Sequence, residues 1–218
     1  MDIEQIENAL NDDNPQQRMK GIRELRNYEA DIATPLLLNH VNDPEFLVRS
    51  FVAMGLGRKQ SEAAFAALLN MSQNDKDPNV RAEAANSLSF YGEVSVAPLR
   101  QMYEVDDHWL VRRSIIAAMV DLKCAQELLE ICEIGLSGED EPVMESCLSA
   151  LGLLTNTPQQ TAALKLLLAW VNDESWRIRL QVARSLGRYS HPEAIAALEK
   201  LKTDPDHRVV GAVLESMI

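Results

Sequence analysis

NDPEFLVRSFVAMGL, residues 42–56, is the stretch of sequence that decides the fold. Its apolar residues recur at helical spacing, at Val48, Val52, Ala53 and Leu56. They therefore fall on one face of an α-helix. Ahead of them, Asp43 is expected to cap the helix and Pro44 to occupy its first position, where the missing N–H has no cost. The stretch predicts an amphipathic helix that buries one face.

Copies of this stretch recur along the whole chain. Aligning them gives seven units, each with an anchor position equivalent to Val48, at Gln17, Val48, Val80, Val111, Val143, Ile178 and Val209. The intervals are 31, 32, 31, 32, 35 and 31 residues. A period in the low thirties with two amphipathic helices per unit indicates an α-solenoid, in which each hairpin buries its apolar face by stacking on its neighbours.

Each unit is predicted to contain two helices joined by a turn. The first helices are predicted at residues 2–11, 32–42, 61–72, 94–104, 124–136, 159–171 and 192–202. The second helices are predicted at residues 15–27, 44–57, 78–90, 108–121, 141–154, 175–188 and 206–217. The prediction is a single all-α solenoid domain that covers residues 1–218.

Composition narrows the classes of function. Hydrophobic residues make up 46% of the chain, and its net charge is −12. A basic face is needed to bind nucleic-acid phosphates, so nucleic acid is not expected as a partner. The longest nearly apolar stretch is far shorter than the roughly 20 residues of a bilayer span, and the acidic N-terminus does not resemble a signal peptide. Three cysteines suit a reducing compartment, and the expected location is cytoplasmic.

Aspartate and arginine recur at fixed places in the units. Most units have an arginine one position after the anchor and an aspartate five positions before it. A guanidinium can donate to a carboxylate and to main-chain carbonyls together, so these residues can link adjacent hairpins. The predicted structural ladder contains Asp43, Arg49, Asp75, Arg81, Asp106, Arg112, Asp173 and Arg179. The alternative role of the arginine row is an anion-binding stripe.

This register resembles the HEAT-repeat family and its phycobilisome-lyase-like branch, whose units read D-x-x-x-x-V-R-x-x-A-A-x-x-L. The third unit matches that pattern at Asp75, Val80, Arg81, Ala84, Ala85 and Leu88. Residues 109–119 are also similar to cyanobacterial HEAT proteins related to bilin lyase subunits and to the phycobilisome-degradation protein. The resemblance covers essentially the whole chain and implies a right-handed α-solenoid of about seven HEAT-like hairpins, with a structural role for the ladder.

The fifth unit departs from the repeat. It has Gly138 and Met144 in place of the ladder residues, and residues 121–145 contain eight acidic residues and one lysine. Departures from a repeat consensus either mark a specific function or reflect the drift of one unit. On the first interpretation, Glu139, Asp140 and Glu141 form a candidate partner-binding turn.

All three cysteines also lie in the fifth unit. Cys132 and Cys147 fall at positions that are apolar in other units and are expected in the core. Cys124 begins a helix, where the helix dipole can lower the pKa of a thiol and exposure is expected. The chain has no C-x-x-C pair, which disfavours a metal or iron-sulfur site within it. A cluster shared with a partner remains an alternative.

Three aromatic residues, Phe46, Trp109 and Trp176, stand two positions before their anchors. Each ring either covers the turn of its hairpin or belongs to an edge that contacts a partner or a planar ligand. We include Arg113 with these residues in the candidate partner-binding set.

The sequence contains no catalytic constellation that we can identify. The leading prediction is a non-enzymatic, protein-binding scaffold without a cofactor. The resemblance implies a role in the maintenance of phycobilisomes or other cofactor proteins, with a phycobiliprotein or an iron-sulfur carrier as the partner. The alternatives it implies are a bilin lyase subunit or bilin-handling protein, and an accessory protein of iron-sulfur cluster assembly.

Overall fold

Fourteen α-helices form seven consecutive hairpins in the part of the chain that the computed structural model describes, residues 1–216. The first helices are α1 (Ile3–Leu10), α3 (Ala30–Leu38), α5 (Glu62–Asn74), α7 (Val96–Val105), α9 (Ala125–Leu136), α11 (Gln160–Ala169) and α13 (Pro192–Leu201). The second helices are α2 (Pro15–Glu24), α4 (Phe46–Lys59), α6 (Pro78–Leu88), α8 (Trp109–Leu122), α10 (Glu141–Leu151), α12 (Trp176–Leu186) and α14 (His207–Glu215). The predicted all-α solenoid is confirmed.

The chain divides into two compact units, Met1–Ala118 and Met119–Ile218. In the first unit α4 packs against both α2 and α6, and in the second unit α12 packs against both α10 and α14. Six of the seven predicted anchor side chains lie at the centre of this packing and are at most 1% exposed, at Val48, Val80, Val111, Val143, Ile178 and Val209. The first anchor, Gln17, is exposed, as suits a polar side chain in the terminal hairpin. None of the helices in residues 1–216 combines the length and hydrophobicity that a bilayer-spanning helix requires. A single domain over residues 1–218 stays a prediction.

The second helix of the second hairpin begins later than the sequence predicted. Pro44 is not its first residue, because α4 begins at Phe46 and its N-cap residue is Glu45. Asp43 does not cap the helix but accepts the N–H of Glu45 at 2.9 Å. In three other hairpins the residue equivalent to Glu45 caps the second helix with its side chain, at Asn14, Asp77 and Asp206. The prediction that Asp43 caps the helix was wrong, because the carboxylate of Asp43 binds the guanidinium of Arg18 and the N–H of Glu45.

Buried pairs of arginine and aspartate connect successive hairpins within each unit. Arg49 donates from Nε and Nη2 to the carboxylate of Asp75 in the next hairpin, at 2.7 and 2.8 Å. Its Nη1 donates to the main-chain oxygen of Asp43 in its own hairpin at 2.8 Å. The same arrangement, with Nε to Oδ2 distances of 2.6–2.7 Å, recurs in the pairs Arg18–Asp43, Arg81–Asp106 and Arg179–Asp204. Each arginine therefore ties its own turn to the following hairpin.

These contacts keep the ladder carboxylates ionised. Burial opposes ionisation of Asp43 and Asp75, but hydrogen bonds from Arg18, Arg49 and backbone N–H groups outweigh it and lower the pKa of both carboxyls below 3.8. The hydrogen bond from Arg179 likewise lowers the pKa of Asp204, against the opposing effect of burial. Protonation of these groups would therefore weaken the folded state.

Successive second helices also approach closely through a pairing of glycine with serine that the sequence analysis did not identify. A Cβ added to Gly57 would lie 2.7 Å from the Cβ of Ser87, and one added to Gly152 would lie 2.8 Å from the Cβ of Ser185. Ser185 also donates to the main-chain oxygen of Leu148 at 2.8 Å. A side chain at either glycine would force the helices apart.

We expect Arg81→Met to reduce the free energy of unfolding by about 1–3 kcal/mol, because it leaves the buried carboxylate of Asp106 without its ion-pair partner. Urea unfolding followed by circular dichroism measures the change. The control is Arg184→Met, a change at an exposed arginine for which we expect a difference within about 0.5 kcal/mol. Equal effects of the two substitutions would show that the ladder does not stabilise the fold.

We expect acid to weaken the fold as the pH falls below about 4. The folded pKa values of Asp43, Asp75 and Asp204 lie below their unfolded values, so their contribution is complete above the unfolded pKa and is lost as the pH falls through the folded pKa. Urea unfolding at a series of pH values tests this. Arg179→Met should give a shallower dependence, because it removes the hydrogen bond that lowers the pKa of Asp204. An unchanged slope would contradict that assignment.

Candidate functional site

The fifth hairpin is connected to the sixth without a ladder pair. Gly138 and Met144 occupy the ladder positions, and the side chain of Met144 is buried. Ser175 Oγ donates a hydrogen bond to Glu141 Oε1, and Arg177 Nη1 lies 4.0 Å from Glu141 Oε2. Glu141, which the sequence analysis assigned to the partner-binding turn, thus contacts the next hairpin of the same chain.

The other two residues of the predicted turn, Glu139 and Asp140, are exposed to solvent. Within residues 1–216, no lysine or arginine nitrogen lies within 4.0 Å of either carboxylate. Asp140 is the N-cap residue of α10, but its side chain does not form a capping hydrogen bond. Two adjacent carboxylates are therefore available to a basic group from outside, and we call Glu139 and Asp140 the acidic turn.

Trp109 is the most accessible of the three predicted aromatic residues. It is 42% exposed, whereas Phe46 and Trp176 are partly buried. The ring of His108 stacks on that of Trp109 with centroids 6.0 Å apart, and the guanidinium carbon of Arg113 lies 5.8 Å from the ring centroid. This cluster in the first unit presents an aromatic surface with a cation beside it.

Trp176 has a different environment in the second unit. The guanidinium carbon of Arg208 lies 3.2 Å from its ring centroid, and that of Arg177 lies 5.0 Å away. Arg208 is held in place by hydrogen bonds to Asp206 at 2.7 and 2.9 Å. Trp176 is partly buried and contacts two guanidinium groups of its own chain, whereas Trp109 is 42% exposed and contacts one, so Trp176 is the poorer candidate for contact with a partner.

Two predicted ladder residues, Arg112 and Asp173, form no aspartate–arginine pair within residues 1–216, because their partner positions hold Gly138 and Met144. Arg112 donates from Nε to the main-chain oxygen of Asp106 at 2.8 Å, and its guanidinium carbon lies 5.4 Å from the ring centroid of Tyr103. Asp173 accepts the N–H of Ser175 at 2.8 Å. The main-chain half of the ladder is thus retained at Arg112.

The cysteines occupy two environments. Cys132 and Cys147 are fully buried, and the thiol of Cys132 donates to the main-chain oxygen of Cys147 at 3.6 Å. Cys124 is partly buried, with its sulfur 3.2 Å from the sulfur of Met119. The expectation of a lowered pKa was wrong, because burial and the nearby charge of Glu127 raise the pKa of Cys124 to about 11. In residues 1–216, no group of three His, Cys, Asp or Glu side chains is placed to hold a metal ion.

The sequence profile described as HEAT repeats matches residues 34–120 and 128–218. The chain belongs to the HEAT-repeat family. Sequence comparison with curated proteins finds no match.

Solved structures with low sequence identity share this HEAT-repeat fold. YibA of Escherichia coli is 18% identical with a TM-score of 0.69, and the alignment covers 100% of this chain and 86% of that one. The complex of CpcE and CpcF of phycocyanin lyase from Nostoc sp. PCC7120 gives 15% identity, a TM-score of 0.56 and coverage of 100% and 95%. Human deoxyhypusine hydroxylase is 20% identical with a TM-score of 0.50, and the alignment covers 98% of this chain and 94% of that one. At these identities the similarity shows the fold alone.

We expect a thiol reagent to modify Cys124 before Cys132 and Cys147, because only Cys124 is partly accessible. Since its pKa is about 11, labelling should be slow at neutral pH. The rate should rise by about tenfold per pH unit as the thiolate forms. Mass spectrometry after brief labelling at several pH values measures both effects. Faster labelling of Cys132 or Cys147 in the folded protein would contradict the observed burial.

Proposed function

We propose that this HEAT-repeat chain is a non-enzymatic scaffold that binds a protein partner through the acidic turn. The observation that supports the proposal is the pair of exposed carboxylates of Glu139 and Asp140, which have no cation beside them in residues 1–216. The aspartates of the four complete ladder pairs are by contrast buried against arginines. The acidic turn therefore differs from the repeated structural use of acids in this chain.

The charge of this turn defines the kind of partner. Adjacent carboxylates repel each other, and a lysine- or arginine-rich surface would relieve that repulsion. Both side chains are exposed, so the attraction should weaken as salt rises. We propose that Trp109 and Arg113 of the first unit also contact the partner, since aromatic and arginine side chains are frequent at the centre of interfaces. Phe46 and Trp176 are proposed as lesser contacts, because they are less accessible.

Our more specific proposal is that the partner belongs to the phycobilisome or to another cofactor-carrying protein, such as a phycobiliprotein, in the cytoplasm. Two observations support it. The third repeat resembles the phycobilisome-lyase-like branch, and the fold is similar to that of the CpcE–CpcF complex. An affinity pull-down from an extract of the source organism, followed by mass spectrometry, would identify the partner.

The second candidate function is that of a bilin lyase subunit or bilin-handling protein, and the similarity to the phycocyanin lyase complex favours it. That lyase contains two different chains, CpcE and CpcF, so this chain would be one of two subunits. Mixing the protein with free bilin and recording the visible spectrum separates the two functions, because a scaffold gives no new absorption band. A role in iron-sulfur cluster assembly stays a prediction, which anaerobic purification and absorption spectroscopy would test.

We expect the double substitution Glu139→Lys, Asp140→Lys to weaken capture of the native partner by about tenfold or more at low salt, because it replaces attraction by repulsion. Quantitative pull-down over a series of salt concentrations measures this. Glu141 is left unchanged, since its contact with Ser175 contributes to the fold.

The matched control for this experiment is Glu174→Lys, Glu215→Lys, which changes two other exposed carboxylates of the second unit by the same charge. Capture by the control should remain within about twofold of the parent. Retained capture by the Glu139→Lys, Asp140→Lys protein, with the same salt dependence, would show that the acidic turn does not bind the partner.

A further inference from the structure

An apolar cavity of about 180 Å³ lies between the second helices of the first two hairpins. Ile22 of α2 and Leu25, which follows that helix, form one side, and Phe51 of α4 forms the other. Leu37 of α3 contributes to the lining. A Cβ at Gly55 of α4 would lie 3.0 Å from Leu37, so the absence of a side chain there lets Leu37 pack closely against α4 at the wall.

Four basic side chains also line this cavity, at Arg23, Arg26, Arg58 and Lys59. The three arginines are exposed, and within residues 1–216 none of them has a carboxylate oxygen within 4.0 Å. Lys59 Nζ donates to the main-chain oxygens of Arg26 and Tyr28, which fixes its position at the cavity. Arg23, Arg26, Arg58 and Lys59 are called the basic rim below.

The basic rim is unusual for a chain with a net charge of −12. Acidic groups do act on it, since the charges of Glu29 and Glu83 influence Lys59 and Arg58. The four cations nevertheless outnumber these two acids. The combination of an apolar interior with a cationic edge is complementary to a ligand that has a large apolar group flanked by negative charges.

The size of the cavity limits what can enter it. A dry apolar cavity of about 150 Å³ accommodates a benzene molecule, whereas pockets for larger organic ligands measure about 300–1,000 Å³. At about 180 Å³ the cavity suits one large apolar side chain and is too small to enclose a tetrapyrrole. Interface anchors of this kind, in which one side chain fills a pocket, supply much of the energy of protein recognition.

We propose that this cavity and its basic rim bind an acidic peptide segment of another protein, with one large apolar side chain inserted between α2 and α4 and flanking carboxylates on the arginines. This site goes beyond the acidic turn, since it lies in the first unit and selects the opposite charge. A partner that contacts both surfaces would need a basic patch for the acidic turn and an acidic, apolar-anchored segment for the cavity.

The experiment uses the whole chain and a short fluorescent peptide of alternating serine and glutamate with one central phenylalanine. Binding is measured by fluorescence anisotropy at low and moderate salt. We expect replacement of the phenylalanine by alanine, or of the glutamates by lysine, to weaken binding by about tenfold or more. In a methionine-methyl NMR spectrum the peptide should shift the signal of Met54, which lines the cavity, and leave that of the buried Met144 unchanged.

The variant Arg23→Glu, Arg58→Glu should lose binding of the phenylalanine peptide by about tenfold or more, because both positions belong to the basic rim. The matched control is Arg184→Glu, Arg188→Glu, which changes exposed arginines at the equivalent repeat positions of the second unit. Binding to the control should stay within about twofold of the parent. Circular dichroism and the unfolding midpoint establish that both variants are folded.

Several results would overturn the proposal. Equal loss of binding in the two arginine variants would indicate general charge attraction, and equal binding of the alanine peptide would show that nothing enters the cavity. Octanoate that competes as tightly as the peptide would assign the site to small carboxylates. Self-association of the chain that Arg23→Glu, Arg58→Glu abolishes would assign the site to a second copy. None of these results depends on Glu139 and Asp140, so the two binding sites can fail separately.

Discussion

The buried ion pair between an arginine and the aspartate of the next hairpin is the interaction on which the repeat depends. Removing two charges from water is costly, and attraction compensates for the cost only when the geometry is good and the remaining donors are satisfied. Arg49 meets both conditions. Its Nε and Nη2 donate hydrogen bonds to the carboxylate of Asp75, and its Nη1 donates one to a main-chain carbonyl of its own turn. The pair therefore constrains the distance between consecutive turns, while the anchors fill the core.

The break in the ladder shows how a repeat can give up that constraint without losing contact between hairpins. Met144 stands where the arginine partner of Asp173 would be, and the contact between the fifth and sixth hairpins passes to Glu141 and Ser175. Glu141 lies at the start of α10, so the acid that replaces the ladder comes from the helix and not from the turn before it. The preceding acids Glu139 and Asp140 are exposed and take no part in this contact, so they form the candidate binding surface.

Features that repeat along the chain could be predicted from the sequence. The anchors and the register of arginine and aspartate repeat about every 31–35 residues, and the structure buries six of the seven anchors and forms four ladder pairs. Contacts that depend on how individual side chains approach one another could not be predicted from the sequence. The site of helix capping after Asp43, the raised pKa of Cys124 and the arginines on Trp176 are of this kind. The cavity was also missed, because its basic residues come from two hairpins and occupy four different repeat positions.

The distribution of charge along the chain explains why the net charge is a poor guide to what such a protein binds. The ladder neutralises four arginines with four aspartates, so those residues add nothing to the surface field. The remaining charges include two local clusters: eight acids lie in residues 121–145, whereas the first two hairpins place four cations around one cavity. Each repeat of a solenoid contacts only its neighbours, so each hairpin can have its own local charge. A net charge of −12 is therefore compatible with a site that selects an acidic ligand.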